Sequence, residues 1–305
     1  MATILDYVLY FNAGYAGLIV VFYMLSLAIP KAAFVARCLA SYICMMYASL
    51  FGVFVSILLN LVGLSQIAQW ATGRCFKYLM ILTTGVTFHT VDPKGILKST
   101  RPAVFIGNHQ TELDVLMLGC VFPKYCSVTA KSSLRKAPVL GWFMSLSASI
   151  FIDRQNSKDA RAAMAGASNE IQKKRQSVYM FPEGTRSYAK DPVLLPFKKG
   201  AFHLAVQAQV PIVPIVVANY SHVLWIKGLL FKSGSVPCKV LDPIPTKGLT
   251  AADVDRLTTE TRDLMLKELI ALTEEAQGRK IAVSDKYSGN GVAKATGTDM
   301  KVAAA

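Results

Sequence analysis

The residues best suited to chemistry in this sequence are His109 and Asp114, in the run NHQTELD at 108–114. The apolar stretch 103–107 predicts a short buried strand before the run, and 115–122 predicts the apolar face of a helix after it. In one continuous helix, residues five apart point about 140° away from each other, so the two side chains can meet only across a strand-to-helix turn. A carboxylate bonded to one imidazole nitrogen leaves the other free to take a proton from a hydroxyl. The spacing therefore predicts a general base, although a helix-capping box beside a loop histidine would give the same pattern.

A second polar turn follows another strand-like stretch, 177–180. It has the sequence FPEGTRS at 181–187. Arg186 offers a planar fork that suits a phosphate, and Gly184 lets the backbone approach a ligand closely. A surface ion pair between Arg186 and Glu183 is the alternative. In either case, the expected task of Glu183 is to hold Arg186 or the loop, or to contact a substrate hydroxyl. Two polar turns after two strands favour one shared site.

Together these turns resemble those of the glycerolipid acyltransferases, most closely the 1-acyl-sn-glycerol-3-phosphate acyltransferases, whose NHxxxxD and FPEGTRS blocks are matched here. The resemblance continues through GWF at 141–143, FIDR at 151–154 and VPIVP at 210–214, and it covers roughly residues 86 to 245. With the stretch from GWF to FIDR counted as one block, four blocks in the order of the family make a chance match improbable.

The resemblance implies a role for each residue of the candidate site. His109 and Asp114 would be catalytic, and the residues that would bind the substrate phosphate are Glu183, Gly184, Thr185, Arg186, Lys131 and Arg154. At Lys131 the match is partial, because the family usually has an acidic residue next and this chain has Ser132. For Lys131 and Arg154 a solvated surface charge is the alternative.

The implied reaction moves a fatty acyl group from acyl-CoA to the sn-2 hydroxyl of lysophosphatidic acid, giving phosphatidic acid for phospholipid biosynthesis. The sequence has no Gly-x-Ser-x-Gly elbow, and neither polar turn contains a cysteine, which favours direct transfer over a covalent acyl-enzyme. Acyl-CoA is then a co-substrate, and no cofactor is expected. The alternatives are an acyltransferase for glycerol-3-phosphate or another lysophospholipid, a membrane-bound esterase, and a membrane-shaping protein that is not an enzyme.

The N-terminal region predicts membrane attachment. Residues 7–29 carry no charge, and a second uncharged run extends over 38–73. Each is long enough for a helix that crosses or enters a bilayer, and no cleavage site follows the first, so we expect a retained anchor. Two buried helices of a soluble protein are the alternative. Basic residues follow both runs, so the positive-inside rule does not settle the topology. Either two spanning helices or a hairpin in one leaflet is compatible with the sequence. We expect the endoplasmic reticulum membrane, with the catalytic domain facing the cytosol.

The net charge of +14 lies mainly after residue 85, because only four of the 33 Lys and Arg residues precede it. A basic domain beside a bilayer suits anionic lipids and phosphate-bearing substrates. No nucleic-acid-binding signature accompanies the charge, and no cysteine or histidine pair has metal-ligand spacing, so we expect neither nucleic acid nor metal. The sequence indicates no protein partner.

After residue 85 short strand-like segments alternate with helical ones, which is typical of an α/β fold. Three regions are expected, namely membrane helices over 1–85, a mixed α/β acyltransferase domain over 86–283 and a disordered tail over 284–305. The predicted strands are 86–91, 103–107, 126–130, 150–152, 178–181, 212–217 and 239–241. The predicted helices are 114–122, 139–146, 157–174, 199–208 and 252–273.

Overall fold

A computed structural model describes residues 3–153 and 157–281. This part of the chain forms a seven-stranded sheet flanked by helices and preceded by two long apolar helices. The predicted architecture, N-terminal apolar helices followed by a mixed α/β domain, is therefore confirmed. The predicted site residue Arg154 and the predicted tail 284–305 lie outside the described residues.

The structure gives the following bounds for its helices and strands. The helices are Ile4–Leu25 (α1), Ala32–Leu61 (α2), Ala68–Thr84 (α3), Ile96–Ser99 (α4), Asp114–Val121 (α5), Leu140–Leu146 (α6), Ser157–Lys174 (α7), Gly200–Ala208 (α8) and Val254–Gln277 (α9). The strands are Val86–Val91 (β1), Val104–Gly107 (β2), Cys126–Lys131 (β3), Ile150–Ile152 (β4), Ser177–Met180 (β5), Ile212–Val217 (β6), Leu224–Trp225 (β7), Leu230–Phe231 (β8) and Gly234–Val240 (β9).

The large sheet has the strand order β1-β9-β6-β2-β5-β3-β4. From β6 to β4 all neighbouring strands are parallel, whereas β9 runs antiparallel to β6 and parallel to β1. The carboxyl ends of β6, β2, β5 and β3 therefore lie next to one another along one edge. In open α/β sheets ligands bind outside such an edge, and both polar turns start there.

The central strand β2 is buried on both faces. Phe105 points into a core with α3 and α5, while Val104 and Ile106 point into a second core with α7, α8 and α9. A continuous apolar run is what a parallel strand covered by helices on both sides requires, and it explains why 103–107 could be recognised in the sequence.

The two N-terminal helices bury very different amounts of surface. Both are long and apolar enough to cross a membrane, judged by length and composition. No residue of α1 is buried. By contrast, α2 buries a row of small residues at nearly regular four-residue spacing, mostly alanines, against α3 and α6. Its large side chains, such as Phe54 and Leu61, stay exposed on the other side. A face of exposed large apolar side chains is suited to lipid.

Helix α3 fixes the position of α5, the helix that begins with Asp114. The two helices touch at Gly73 and Gly119, where a Cβ on Gly119 would lie 2.7 Å from the carbonyl oxygen of Gly73. Arg74 donates hydrogen bonds to the carbonyl oxygens of Gly119, Cys120 and Phe122 at the end of α5. These carbonyls have no partner within the helix, so the guanidinium caps it and favours its dipole.

Several elements differ from the predictions, three of them for the following physical reasons. Strand β9 begins at Gly234, whereas the predicted strand began at residue 239. The earlier part was missed because Pro237, which lacks a backbone N–H, is unusual inside a strand. The β7–β8 hairpin was not predicted, since its strands have two residues each. The second uncharged run, 38–73, includes the first residues of α3, so the sequence did not separate α2 from α3. In the structure the chain turns between these helices at Gly63, where φ is +72°.

Candidate active site

The first polar turn joins β2 to α5 and is fixed against β6. The side chain of Asn108 continues the strand pairing, because its Nδ2 donates to the carbonyl oxygen of Val217 at 3.0 Å and its Oδ1 accepts from the Val217 amide at 2.9 Å. The side chain of Gln110 donates to the carbonyl oxygens of Val217 and Ala218. His109 lies between these two anchored residues, so its backbone is held on both sides.

The imidazole of His109 and the carboxylate of Asp114 are in contact, with 2.7 Å between Nδ1 and Oδ2. Asp114 is the first residue of α5 and His109 lies in the turn, which is the arrangement that the five-residue spacing requires. An ionised carboxylate only accepts hydrogen bonds, so Nδ1 carries the hydrogen and Nε2 remains available to accept a proton. The ring stacks on Phe181, with 4.1 Å between ring centroids.

Asp114 is almost fully buried, with 2% of its side chain exposed, and each of its oxygens has donors. Oδ2 accepts from the amides of Gln110 at 2.6 Å and Thr111 at 3.2 Å, in addition to His109. Oδ1 accepts from the phenol of Tyr220 at 2.7 Å. Hydrogen bonds to a carboxylate favour its charged form, which is the form that stabilises an imidazolium.

The second polar turn, which follows β5, is bonded directly to the first. The amides of Ser187 and Tyr188 donate to the carbonyl oxygens of His109 and Gln110, at 3.0 and 3.1 Å. The two turns therefore form one structural unit at the edge of the sheet.

Glu183 belongs to the second turn in sequence but supports the first. Its Oε1 accepts from the His109 amide at 2.7 Å, and its Oε2 accepts from the Leu195 amide at 2.9 Å. Burial raises the pKa of Glu183 to about 8, although these two donors act in the opposite direction. Of the roles considered for this residue, the contacts favour holding the loop.

Arg186 is bound to Glu112 of the first turn, and not to Glu183 as one alternative had it. Its Nη1 lies 3.0 Å from Glu112 Oε1 and 3.3 Å from the phenol oxygen of Tyr188, which in turn donates to the same carboxylate oxygen at 2.6 Å. Burial opposes the charge on Arg186, but the hydrogen bond with Tyr188 and the charge of Glu112 raise the pKa of the guanidinium. Its Nε is buried and has no hydrogen-bond partner among the residues that the structure describes.

The remaining candidate residues lie around the same opening. Gly184 adopts φ +70°, which an L side chain rarely adopts. A Cβ there would also lie 3.0 Å from the Lys198 side chain. Thr185 and Lys131 line the same cavity as His109 and Arg186. Lys131 is the last residue of β3, whereas the predicted strand ended at residue 130. Arg154 is not among the residues that the structure describes.

The cavity at this opening has a volume of about 580 Å³ and extends away from the sheet toward the N-terminal helices. Its lining includes the polar side chains of His109, Lys131 and Arg186. The walls are mainly apolar and come from α2, α3, α5 and α6, for example Phe76, Leu118 and Phe143. A mainly apolar cavity that also contains a basic nitrogen suits a lipid substrate.

The family model described as Acyltransferase matches residues 89–218, a range that contains both polar turns and the strands β2 to β6. The chain is 42% identical to the 1-acyl-sn-glycerol-3-phosphate acyltransferase of Saccharomyces cerevisiae over 219 residues, which are 72% of each protein. It is 41% identical to the human 1-acyl-sn-glycerol-3-phosphate acyltransferase beta over 204 residues, covering 67% of this chain and 71% of the human protein. The chain therefore belongs to the 1-acyl-sn-glycerol-3-phosphate acyltransferase family.

A solved structure shares the fold. The crystal structure of the 1-acyl-sn-glycerophosphate (LPA) acyltransferase from Thermotoga maritima aligns with a TM-score of 0.61 and 21% identity, over 78% of this chain and 94% of that protein. At this identity the likeness concerns the fold.

Sequence reasoning missed three residues of the site, namely Glu112, Tyr188 and Tyr220. Glu112 and Tyr188 stand inside or beside the two motifs, and only the pairing of the turns shows that both contact Arg186. Tyr220 is separated from Asp114 by 106 positions, so no local spacing could have indicated the contact.

Proposed function

We propose that this protein transfers a fatty acyl group from acyl-CoA to the sn-2 hydroxyl of 1-acyl-sn-glycerol-3-phosphate (lysophosphatidic acid), which gives phosphatidic acid in phospholipid biosynthesis. The observation that carries the proposal is the His109–Asp114 pair, whose imidazole lines a mainly apolar cavity together with Arg186 and Lys131. The names of the relatives from yeast and human support lysophosphatidic acid as the acceptor.

In the proposed mechanism His109 is the general base. Its Nε2 takes the proton of the acceptor hydroxyl while the hydroxyl oxygen attacks the thioester carbonyl. Asp114, bonded to Nδ1, stabilises the imidazolium that forms. The tetrahedral intermediate collapses by breaking the carbon–sulfur bond, and coenzyme A leaves as a thiolate that recovers the proton from His109. No covalent acyl-enzyme is needed, and acyl-CoA is a co-substrate without a further cofactor.

The acceptor phosphate is proposed to bind beside Arg186. A guanidinium can form two parallel hydrogen bonds with a phosphate, whereas an ammonium acts as a point charge. Lys131 lines the same cavity and adds positive charge. Gly184 and Thr185 shape the turn that carries Arg186. The apolar walls formed by Phe76, Leu118 and Phe143 then accommodate an acyl chain.

The proposed location is the endoplasmic reticulum membrane, with the α/β domain on the cytosolic side where acyl-CoA is available. Helix α2 packs along α3 and also against α6, which favours a hairpin lying in one leaflet over two spanning helices. The protein should then stay with membranes through high-salt and alkaline washes, because apolar burial exceeds what a basic surface alone supplies. Release by salt alone would contradict this attachment.

One assay tests the activity directly. Purified protein in detergent would receive labelled acyl-CoA and, separately, lysophosphatidic acid, glycerol-3-phosphate, a lysolipid without a phosphomonoester, or no acceptor. The expected result is labelled phosphatidic acid with the first acceptor and little product with the others. Preference for another acceptor would assign a related acyltransferase, and thioester cleavage without any acceptor would assign an esterase.

A further inference from the structure

We infer that Tyr220 is a positioning residue of the active site, which acts on His109 through the carboxylate of Asp114. The phenol holds the carboxylate oxygen that the imidazole does not contact. The inference rests on the proposed acyl transfer for its kinetic test, and on the geometry alone for its spectroscopic test.

The hydrogen-bond directions around Tyr220 follow from the chemistry of its partners. Its oxygen lies 2.7 Å from Asp114 Oδ1, 3.0 Å from the Thr111 amide and 3.0 Å from Thr111 Oγ1. A carboxylate can only accept and an amide can only donate, so the single phenol hydrogen goes to Asp114. The Thr111 hydroxyl must then donate to Tyr220, while its own oxygen accepts from the Leu113 amide.

The tyrosine ring has no freedom to move away from this position. Tyr220 is completely buried and meets Phe88 edge to face, with 5.7 Å between ring centroids. Its carbonyl oxygen accepts from the amides of Val223 and Leu224, which fixes the chain after β6. Burial raises the pKa of the phenol well above its usual range, so the hydroxyl remains a donor at any pH at which the protein works.

The consequence for catalysis concerns the orientation of the carboxylate. Oδ2 serves His109 and two amides of the turn, and Oδ1 is held by Tyr220. Without the phenol, Oδ1 would be a buried charged oxygen lacking its donor, which is a costly state. The carboxylate would then turn or exchange its oxygens, and the His109 imidazole would lose its fixed direction toward the substrate.

The test compares Tyr220→Phe with Tyr179→Phe. Tyr179 is a matched control, because it is also completely buried and its hydroxyl contacts only the sulfur of Met117 among the described hydrogen bonds. Tyr220→Phe should lower kcat by about tenfold, the order expected for losing one hydrogen bond to a charged group, with KM for both substrates unchanged. Tyr179→Phe should leave kcat within about twofold of the unmodified protein, an effect of less than 0.5 kcal/mol. Thermal unfolding of both variants checks that they are folded.

Two further measurements separate positioning from general stability. In an Asp114→Asn background, Tyr220→Phe should cause little additional loss of kcat, because a residue acting through Asp114 is not additive with it. In the proton NMR spectrum, the low-field resonance of the His109 Nδ1 hydrogen should shift or broaden in Tyr220→Phe and stay in place in Tyr179→Phe. Equal losses of kcat in both backgrounds, or an unshifted resonance, would overturn the inference. If the unmodified protein transfers no acyl group, the proposed function fails, and the resonance alone decides the role of Tyr220.

Discussion

The two polar turns lie side by side, yet they hold their functional side chains in different ways. In the first turn, Asp114 accepts hydrogen bonds from two backbone amides and from the completely buried Tyr220, and the backbone amide of His109 donates to Glu183. In the second turn, Arg186 is 35% exposed, and its partner Glu112 is 47% exposed. The groups proposed for proton transfer are therefore held in place by the protein itself, whereas the cation proposed for the phosphate can change partners. An exposed ion pair is worth little, so a phosphate can displace Glu112 at small cost.

The largest expected effect comes from removing His109 or Asp114 from the first polar turn. His109→Ala should lower kcat by about 10² to 10⁴, the usual contribution of a general base, and Asp114→Asn should leave a small residual activity. Steady-state kinetics with acyl-CoA and lysophosphatidic acid would measure both. His203→Ala on α8 is the control, since this histidine is exposed and should not affect turnover. Near-normal turnover by folded His109→Ala protein would rule out the mechanism.

A smaller effect is expected from removing Arg186, the cation of the second polar turn. Arg186→Ala should weaken the use of lysophosphatidic acid by about 1.5–3 kcal/mol, mainly in KM, since a charge-assisted contact is lost. A lysolipid without a terminal phosphate should be used almost as before, and Arg186→Lys should recover part of the loss. Equal losses with both acceptors would mean that this turn does not bind the phosphate. A fall in kcat alone would mean that Arg186 acts during the chemical step.

Removing the charge of Glu112, which would compete with the phosphate for Arg186, should lower KM and not raise it. Glu112→Gln takes away the charge that occupies Arg186, so KM for lysophosphatidic acid should fall by about threefold with kcat unchanged, as expected for a half-exposed ion pair. The same substitution in an Arg186→Ala protein should have no effect on KM. An increase in KM would show that Glu112 orients Arg186 for the substrate and does not compete with it.

The smallest expected effect concerns Glu183, which links the two turns. Because burial raises its pKa to about 8 in the folded protein, the folded state holds a proton that the unfolded state releases near the ordinary value of 4.5. The free energy of unfolding that this group contributes is therefore present at low pH and is lost as pH rises from about 4.5 to 8. Glu183→Gln removes this dependence. Between pH 5 and 8.5, the Tm of the unmodified protein should therefore fall by a few degrees relative to that of the variant. A pH-independent difference would contradict the shifted pKa.

The sequence predicted the parts of the site that depend on local order. An apolar strand followed by a polar turn placed His109 and Arg186 at one sheet edge, because parallel neighbours end there. Contacts between distant segments were beyond reach. Glu112 was assigned no role of its own, and its pairing with Arg186 follows from the register of β2 and β5. Pro237 concealed most of β9, because the proline reduces the strand signal although the neighbouring strands accommodate it.

The contact between α3 and α5 has a consequence for how this enzyme can change during evolution. Asp114 begins α5, and Val115, Leu118, Gly119 and Phe122 on or next to the same helix line the cavity. Because Gly73 and Arg74 hold its far end, a change in this helix that suits a new chain length would also disturb Asp114, the carboxylate proposed to support catalysis. We expect adaptation to new acyl donors to proceed through the opposite wall, where α2 and α6 can vary their side chains while the catalytic geometry is inherited intact.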